Sequence, residues 1–166
     1  ARVMTAPIIP GFNDSELEFL LQHLVLPAAE AFKPQAVVIT CGTDALDGDP
    51  LSRLALSNGA LWSAVERLVE PVGPAVVLGG GGYNPWTLAR CWTGLWGRLS
   101  GYDIPATLPS AAGRILAELQ CDLVDDEDVR PEWLTTLADS PNVGTVRKDV
   151  SELVAIHERR RLHELA

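Results

Sequence analysis

The sequence predicts an α/β fold with parallel strands, and three observations carry that expectation. Two short apolar runs rich in β-branched residues, Ala36-Val37-Val38-Ile39-Thr40 and Pro74-Ala75-Val76-Val77-Leu78, have the pattern of strands buried in a parallel sheet. A stretch with helical spacing of apolar side chains precedes each run, and another follows the second. Each run also opens directly into a loop dense in Asp or Gly. Loops at the carboxyl ends of parallel strands are where open α/β sheets build their sites.

Taken in order, Asn13-Asp14-Ser15 supplies helix-capping side chains, and Ser15 with Glu18 fits a capping box. Leu17, Leu20, Leu21, Leu24 and Ala28 follow at helical spacing. Pro27 lies inside this run and predicts a kink or a break, and Lys33-Pro34 ends it before the first strand. Ser57 caps a second helix in which Leu61, Trp62, Val65, Leu68 and Val69 share a face, closed by residues 71–74 ahead of the second strand. Asn84-Pro85 is a cap followed by proline at the first helical position, opening a third helix with the apolar stripe Leu88, Trp92, Leu95, Trp96 and Leu99.

Beyond Gly101 the character changes. Pro105, Pro109, the acidic run 122–128 and Pro131 make this region loop-rich, with a modest helix near 111–119 and a polar helix from Asp149 to about Leu165. Asp125-Asp126-Glu127-Asp128 reads as a solvated loop.

With 166 residues, 47% apolar and 21% charged, the chain is the size of one ordinary globular domain. A formal net charge of −9 argues against a nucleic-acid surface. The one basic cluster, Arg159-Arg160-Arg161, lies between Glu158 and Glu164 and reads as a solvated helix face. No stretch is apolar for the roughly 18 residues that a membrane span needs. The first ten residues lack the pattern of a secretion signal, and the start at Ala1, on apolar residues, reads as an internal segment. Cys41, Cys91 and Cys121 are an odd set without CxxC spacing, as expected for reduced thiols in the cytoplasm.

The loop Gly79-Gly80-Gly81-Gly82-Tyr83-Asn84-Pro85 lets backbone come close to another group or adopt positive φ. It lacks the third glycine of GxGxxG, and no GK[ST] follows, so it is not a phosphate cradle of either kind. Tyr83 reads equally as a core aromatic or as a phenol aimed into a cleft. The loop after the first strand carries Asp44, Asp47 and Asp49. A calcium loop fails, because the twelfth position holds Ala55 counted from Asp44 and Asn58 counted from Asp47, where glutamate is needed. Two readings stay open: one Asp ligating a catalytic metal, or three Asp residues punctuating a turn.

Cys41-Gly42-Thr43-Asp44 with Asp47-Gly48-Asp49-Pro50-Leu51 resembles the CGAD…GDPL element of the histone deacetylase superfamily. Leu78-Gly79-Gly80-Gly81-Gly82-Tyr83 with Ala89-Arg90-Cys91-Trp92 resembles its LGGGGY…ARCW element, in the right order and at the right separation. Tyr83-Asn84-Pro85-Trp86, Leu56-Ser57-Asn58 and the stretch from Trp133 to Asp139 look most like the bacterial acetoin utilization branch. Thr43, where the family often has Ala or Ser, is the nearby departure.

The resemblance implies a three-layer αβα architecture, the carboxy-terminal part of an arginase/deacetylase-type parallel sheet. Residues 1–166 would form part of one deacetylase domain, with the sheet and active-site loops in 1–100 and a helical, loop-rich extension in 101–166. Asp44 matches the last of three protein ligands to a catalytic divalent metal, usually Zn2+ and alternatively Fe2+. Tyr83 matches the tyrosine that polarises the scissile carbonyl, and Leu51, Gly81 and Gly82 match walls of the acyl-lysine tunnel. The implied reaction is hydrolysis of acetyl-lysine in proteins, or of small acetylated amines. The family's Asp-x-His ligands and histidine pair have no counterpart: only His23, His157 and His163 occur, preceded two positions earlier by Leu21, Ala155 and Arg161. The sequence therefore reads as a segment whose missing amino-terminal half brings the other ligands, inactive by itself. A non-catalytic scaffold that kept half of the fold is the alternative, and a site completed by a second chain is a third.

Overall fold

The computed structural model describes the backbone of residues 3–165 and the side chains of residues 3–159. Helix α1 (Asp14–Leu20) is capped by Asn13, whose side chain accepts from the backbone N–H groups of Ser15 and Glu16 at 3.0 and 3.2 Å. Glu16 answers by accepting the Asn13 N–H at 3.2 Å, so the capping box is Asn13/Glu16 and not Ser15/Glu18. Electrostatics decides between them. Glu16 is buried against the Arg147 guanidinium, with contacts of 2.6 and 2.7 Å, while Glu18 turns outward to Arg67 at 2.6 Å.

Pro27 does not break the helix. A π-helical turn, Leu21–Val25, precedes α2 (Leu26–Phe32), and the Leu26 N–H bonds Leu21 O across the wider ring. The π turn makes room for the proline ring and leaves its missing N–H without consequence. Lys33, at φ 52°, closes α2 in the left-handed region.

The Glu16–Arg147 pair supplies a testable pH dependence. The Arg147 hydrogen bond holds the Glu16 carboxyl below its ordinary range, against the opposing effect of burial. A depressed folded-state pKa contributes stability above the unfolded value, and that contribution is lost as pH falls through the folded one. Arg147→Ala leaves Glu16 buried without its cation and is expected to destabilise the fold at neutral pH. In urea unfolding followed at stepped pH, the gap between wild type and variant should narrow below the carboxylate range. A gap that stays constant into acid would contradict this account.

Strands β1 (Val37–Thr40) and β2 (Ala75–Leu78) pair in parallel, from Val37↔Ala75 to Thr40↔Leu78. Helix α3 (Asn58–Val69) joins them, its first turn capped by the Ser57 hydroxyl, which accepts from Ala60 N–H at 3.1 Å. Ile39 and Val77 pack onto a core that includes Leu20, Leu24, Cys41, Trp62, Leu95 and Val154. The opposite face is bare. Val38 is 66% exposed, Val76 51% and Leu78 47%, so the expectation that both strands are buried on two sides is corrected. The helices that carry Leu20, Trp62, Leu95 and Val154 lie on the Ile39/Val77 face, and the other face stays exposed among the described residues.

Helix α4 (Pro85–Leu99) begins as expected, with the Asn84 side chain accepting from Trp86 and Thr87 N–H. Its buried side, however, runs through Trp86, Arg90, Cys91, Gly94 and Leu95, while Leu88, Trp96 and Leu99 of the expected stripe are exposed. Gly94 is the reason. A Cβ there would collide with the Trp62 ring, and Trp62 Nε1 donates to Cys91 O at 2.8 Å, drawing that side of α4 onto α3.

The extension contains α5 (Ser110–Ala117), a 3-10 turn at Asp126–Asp128 with exposed carboxylates, α6 (Pro131–Thr135) and α7 (Lys148–Leu165). Trp86, Leu116, Val124 and Trp133 form a second core beneath it. Arg90, fully buried, donates to Thr136 O and to Asp139 Oδ1, both at 2.7 Å. Asp139 also exchanges hydrogen bonds with Asn58, so residues 136–139 are bolted to the starts of α3 and α4. The side chains of Arg160, Arg161 and His163 lie outside the described residues, while Arg159 is exposed. No helix among the described residues is long and apolar enough to cross a membrane.

Candidate active-site loops

The loops leaving β1 and β2 lie against each other as bare backbone. Cys41 N–H donates to Leu78 O at 3.0 Å, extending the strand pairing, and Thr43 N–H donates to Gly81 O at 2.8 Å. A Cβ on Gly80 would stand 2.9 Å from Gly42 N, and one on Gly81 would stand 2.6 Å from Asp44 Cγ. Gly82, at φ +143°, faces the Thr43 hydroxyl in the same way. These glycines are thus required by close approach, as the sequence allows, and the group approached is the loop after β1. The Thr43 hydroxyl itself is buried without a hydrogen-bond partner among the described residues.

Gly81→Ala should drive the new methyl into the Asp44 carboxylate. An overpacked site of this kind typically costs about 1–3 kcal/mol. Urea unfolding of the variant measures it, and an unchanged midpoint would mean that the Asp44 carboxylate, which no donor among the described residues holds, turns aside from the methyl.

The three Asp residues have three different fates. Asp47 Oδ2 accepts from Arg130 at 2.7 Å, and the Arg130 guanidinium also lies 5.1 Å over the Trp133 ring. Asp49, only 6% exposed, accepts Tyr83 N–H on Oδ2 at 2.8 Å and Leu51 N–H on Oδ1 at 2.9 Å. Asp44 sits in the 3-10 turn Thr43–Ala45, half-buried, and no donor among the described residues reaches its carboxylate. A carboxylate left without donors beside a glycine wall is a ready oxygen ligand. Tyr83 is 44% exposed and Leu51 62%, so Tyr83 is no core aromatic: its backbone is fixed while its ring is open to solvent.

The donor set for a metal is incomplete. No group of three His, Cys, Asp or Glu side chains suited to a metal occurs among the described residues. A hydrolytic site needs about three protein ligands. His23 packs on the Phe19 ring at 4.5 Å, and His157 Nε2 lies 2.9 Å from Thr5 O, so both are engaged elsewhere. Burial pushes the Cys91 thiol up to about 12 and raises Cys41 as well, so neither is poised as a thiolate ligand. Among the described residues only the Asp44 carboxylate is left free in these loops, and they offer no complete donor set for a divalent ion.

Sequence reasoning missed the support behind these loops. Gly48, at φ +89°, has no room for a Cβ because the Trp133 ring would lie 2.7 Å away, and its carbonyl accepts from Asn84 Nδ2 at 2.9 Å. A glycine between two Asp residues signals a turn. Nothing in the spacing signals that residues 130–133 back it.

A family model for the histone deacetylase domain matches residues 2–99. Histone deacetylase 1 of Homo sapiens is 35% identical over 103 residues, which cover 62% of this chain and 21% of that protein. Putative histone deacetylase 2 of Caenorhabditis elegans is 32% identical over 109 residues, covering 66% of this chain and 22% of that protein. Among solved structures, an HDAC homolog from Aquifex aeolicus matches with a TM-score of 0.85 and 37% identity over 93% of this chain and 42% of that one. An HDAC homolog complexed with SAHA matches equally well. The chain spans about a fifth of the length of these curated relatives and less than half of the solved homolog. Its α/β architecture is that of the deacetylase fold.

Proposed function

The chain belongs to the histone deacetylase domain family, and from that premise we propose that it serves metal-dependent hydrolysis of acetyl amides, contributing Asp44 and Tyr83. The observation that carries this reading is a juxtaposition. A carboxylate without donors and a tyrosine with an open ring stand on two loops that touch through Thr43 N–H and Gly81 O.

Asp44 would hold one position of a divalent ion, zinc or alternatively iron(II), with the remaining ligands supplied from outside these 166 residues. When bound, such an ion supplies Lewis acidity toward the acetyl carbonyl. Tyr83 donates its phenolic O–H to the same carbonyl oxygen and follows it as negative charge develops there. Leu51, Gly81 and Gly82 border the channel for the acyl-lysine stem. The bare sheet face at Val38, Val76 and Leu78 suits packing by the other half of the same domain. The substrates are acetyl-lysine in proteins or small acetylated amines, the latter in keeping with the resemblance to the acetoin utilization branch. Its reduced thiols suit the cytoplasm, and the net charge of −9 argues against a nucleic-acid partner.

The lack of a three-residue donor group among the described residues favours a second reading, a non-catalytic scaffold of the same fold. Acetate release decides between them. The full-length protein containing this sequence is assayed on an acetyl-lysine peptide and an acetylated polyamine, before and after chelation and on return of zinc or iron(II). Metal-restored release on either substrate supports hydrolysis. No release from metal-loaded protein leaves the scaffold.

A further inference from the structure

We infer that Asp49 is a positioning residue: one buried carboxylate fixes the backbones of Tyr83 and Leu51 together, setting the carbonyl-polarising phenol and the channel wall as a unit. This inference rests on the roles proposed above for those two residues. Three observations lead to it.

First, both oxygens are in use, Oδ1 on Leu51 N–H at 2.9 Å and Oδ2 on Tyr83 N–H at 2.8 Å. The bond to Leu51, two residues on, is an ordinary local turn of the kind Asp often makes. The bond to Tyr83 is not local, since it spans 34 positions and joins the loop after β1 to the loop after β2. Second, Asp49 is 6% exposed and has no ion-pair partner among the described residues. A buried carboxylate without a cation is costly. A turn alone would be served as well by Asn or Ser, whereas only a carboxylate accepts at two oxygens. Third, the loop that carries Asp49 is held from behind. Gly48 is packed on Trp133, the Gly48 carbonyl accepts from Asn84, and Asp47 is paired with Arg130. The carboxylate is therefore a fixed point against which Tyr83 is set.

The test compares Asp49→Asn and Asp49→Ser in the full-length protein. Asn keeps the shape but can accept from only one of the two amides. Ser keeps an acceptor for the local turn yet is too short to reach Tyr83. Both variants should lower kcat on an acetyl-lysine peptide by on the order of 10–100-fold, as misplaced reacting groups do. Bound metal should stay at the wild-type level, and the urea midpoint should fall only modestly, by the loss of one hydrogen bond. Amide hydrogen exchange at Tyr83 should be slow in wild type and faster in the Ser variant, where Leu51 stays protected, while in the Asn variant one of the two amides should exchange faster. Wild-type kcat in Asp49→Ser would mean that the carboxylate serves only its local turn, and would overturn the inference. So would fast exchange at Tyr83 in the wild-type protein, a measurement that stands even if both variants fail to fold. If wild type releases no acetate, the proposed function fails, and the exchange data alone then decide whether Asp49 holds Tyr83.

Discussion

Asp44→Asn is expected to abolish turnover in the full-length protein and to remove its metal, with almost no effect on the stability of the metal-free fold. The substitution keeps the volume of the side chain, so the close fit against Gly81 survives. It removes the negative charge that makes a carboxylate a strong oxygen ligand for a divalent ion. Because no donor among the described residues engages this carboxylate, its charge supports no hydrogen bond that the fold would lose. Loss of activity and metal, with a urea midpoint equal to that of metal-free wild type, is therefore the signature of a ligand, since bound metal itself adds stability. The same side chain in a structural role would show the reverse, destabilisation with activity retained per folded molecule. Normal turnover with metal still bound would sink the assignment. A zinc titration of the 166-residue chain adds a complementary result: weak binding indifferent to Asp44→Ala is expected if the other ligands lie elsewhere.

The sequence shows the elements clearly because their punctuation is local. Ser57, Asn84 and Pro85 act on the turns that they begin, and β-branched runs such as Val37-Val38-Ile39 favour strands wherever they pack. Partners distant in the chain were not legible. The choice between Glu16 and Glu18 turns on Arg147, and the buried side of α4 turns on the fit of Trp62 at Gly94. Strand burial was misjudged for a related reason. An apolar run records that a strand is meant to be covered, but not what covers it, and in these residues one face stays open. At the site, Asp44 and Tyr83 emerged from a resemblance, whereas the work of Asp49 emerged only from geometry. Its nearer bond follows from sequence proximity; its bond to Tyr83 does not.

Tyr83→Phe should lower kcat by about 10²–10³, the usual effect of removing one donor aimed at a developing oxyanion. Metal should remain bound, because the phenol is proposed to touch substrate and not the ion. The fold should be indifferent as well: Tyr83 is 44% exposed, and its contribution to the loop is the backbone N–H donated to Asp49, which phenylalanine retains. KM should change far less than kcat, since a hydrogen bond that strengthens only as charge develops binds the ground state weakly. That split separates Tyr83 from Asp44, whose loss empties the site. It also separates it from Asp49, whose substitution should mimic a weaker Tyr83→Phe while releasing the amide. Combining Tyr83→Phe with Asp49→Asn then gives the sharpest outcome. If Asp49 acts through Tyr83, the double variant should be hardly slower than Tyr83→Phe alone, because coupled residues are not additive. Fully multiplied losses would mean that the two act separately on the reaction.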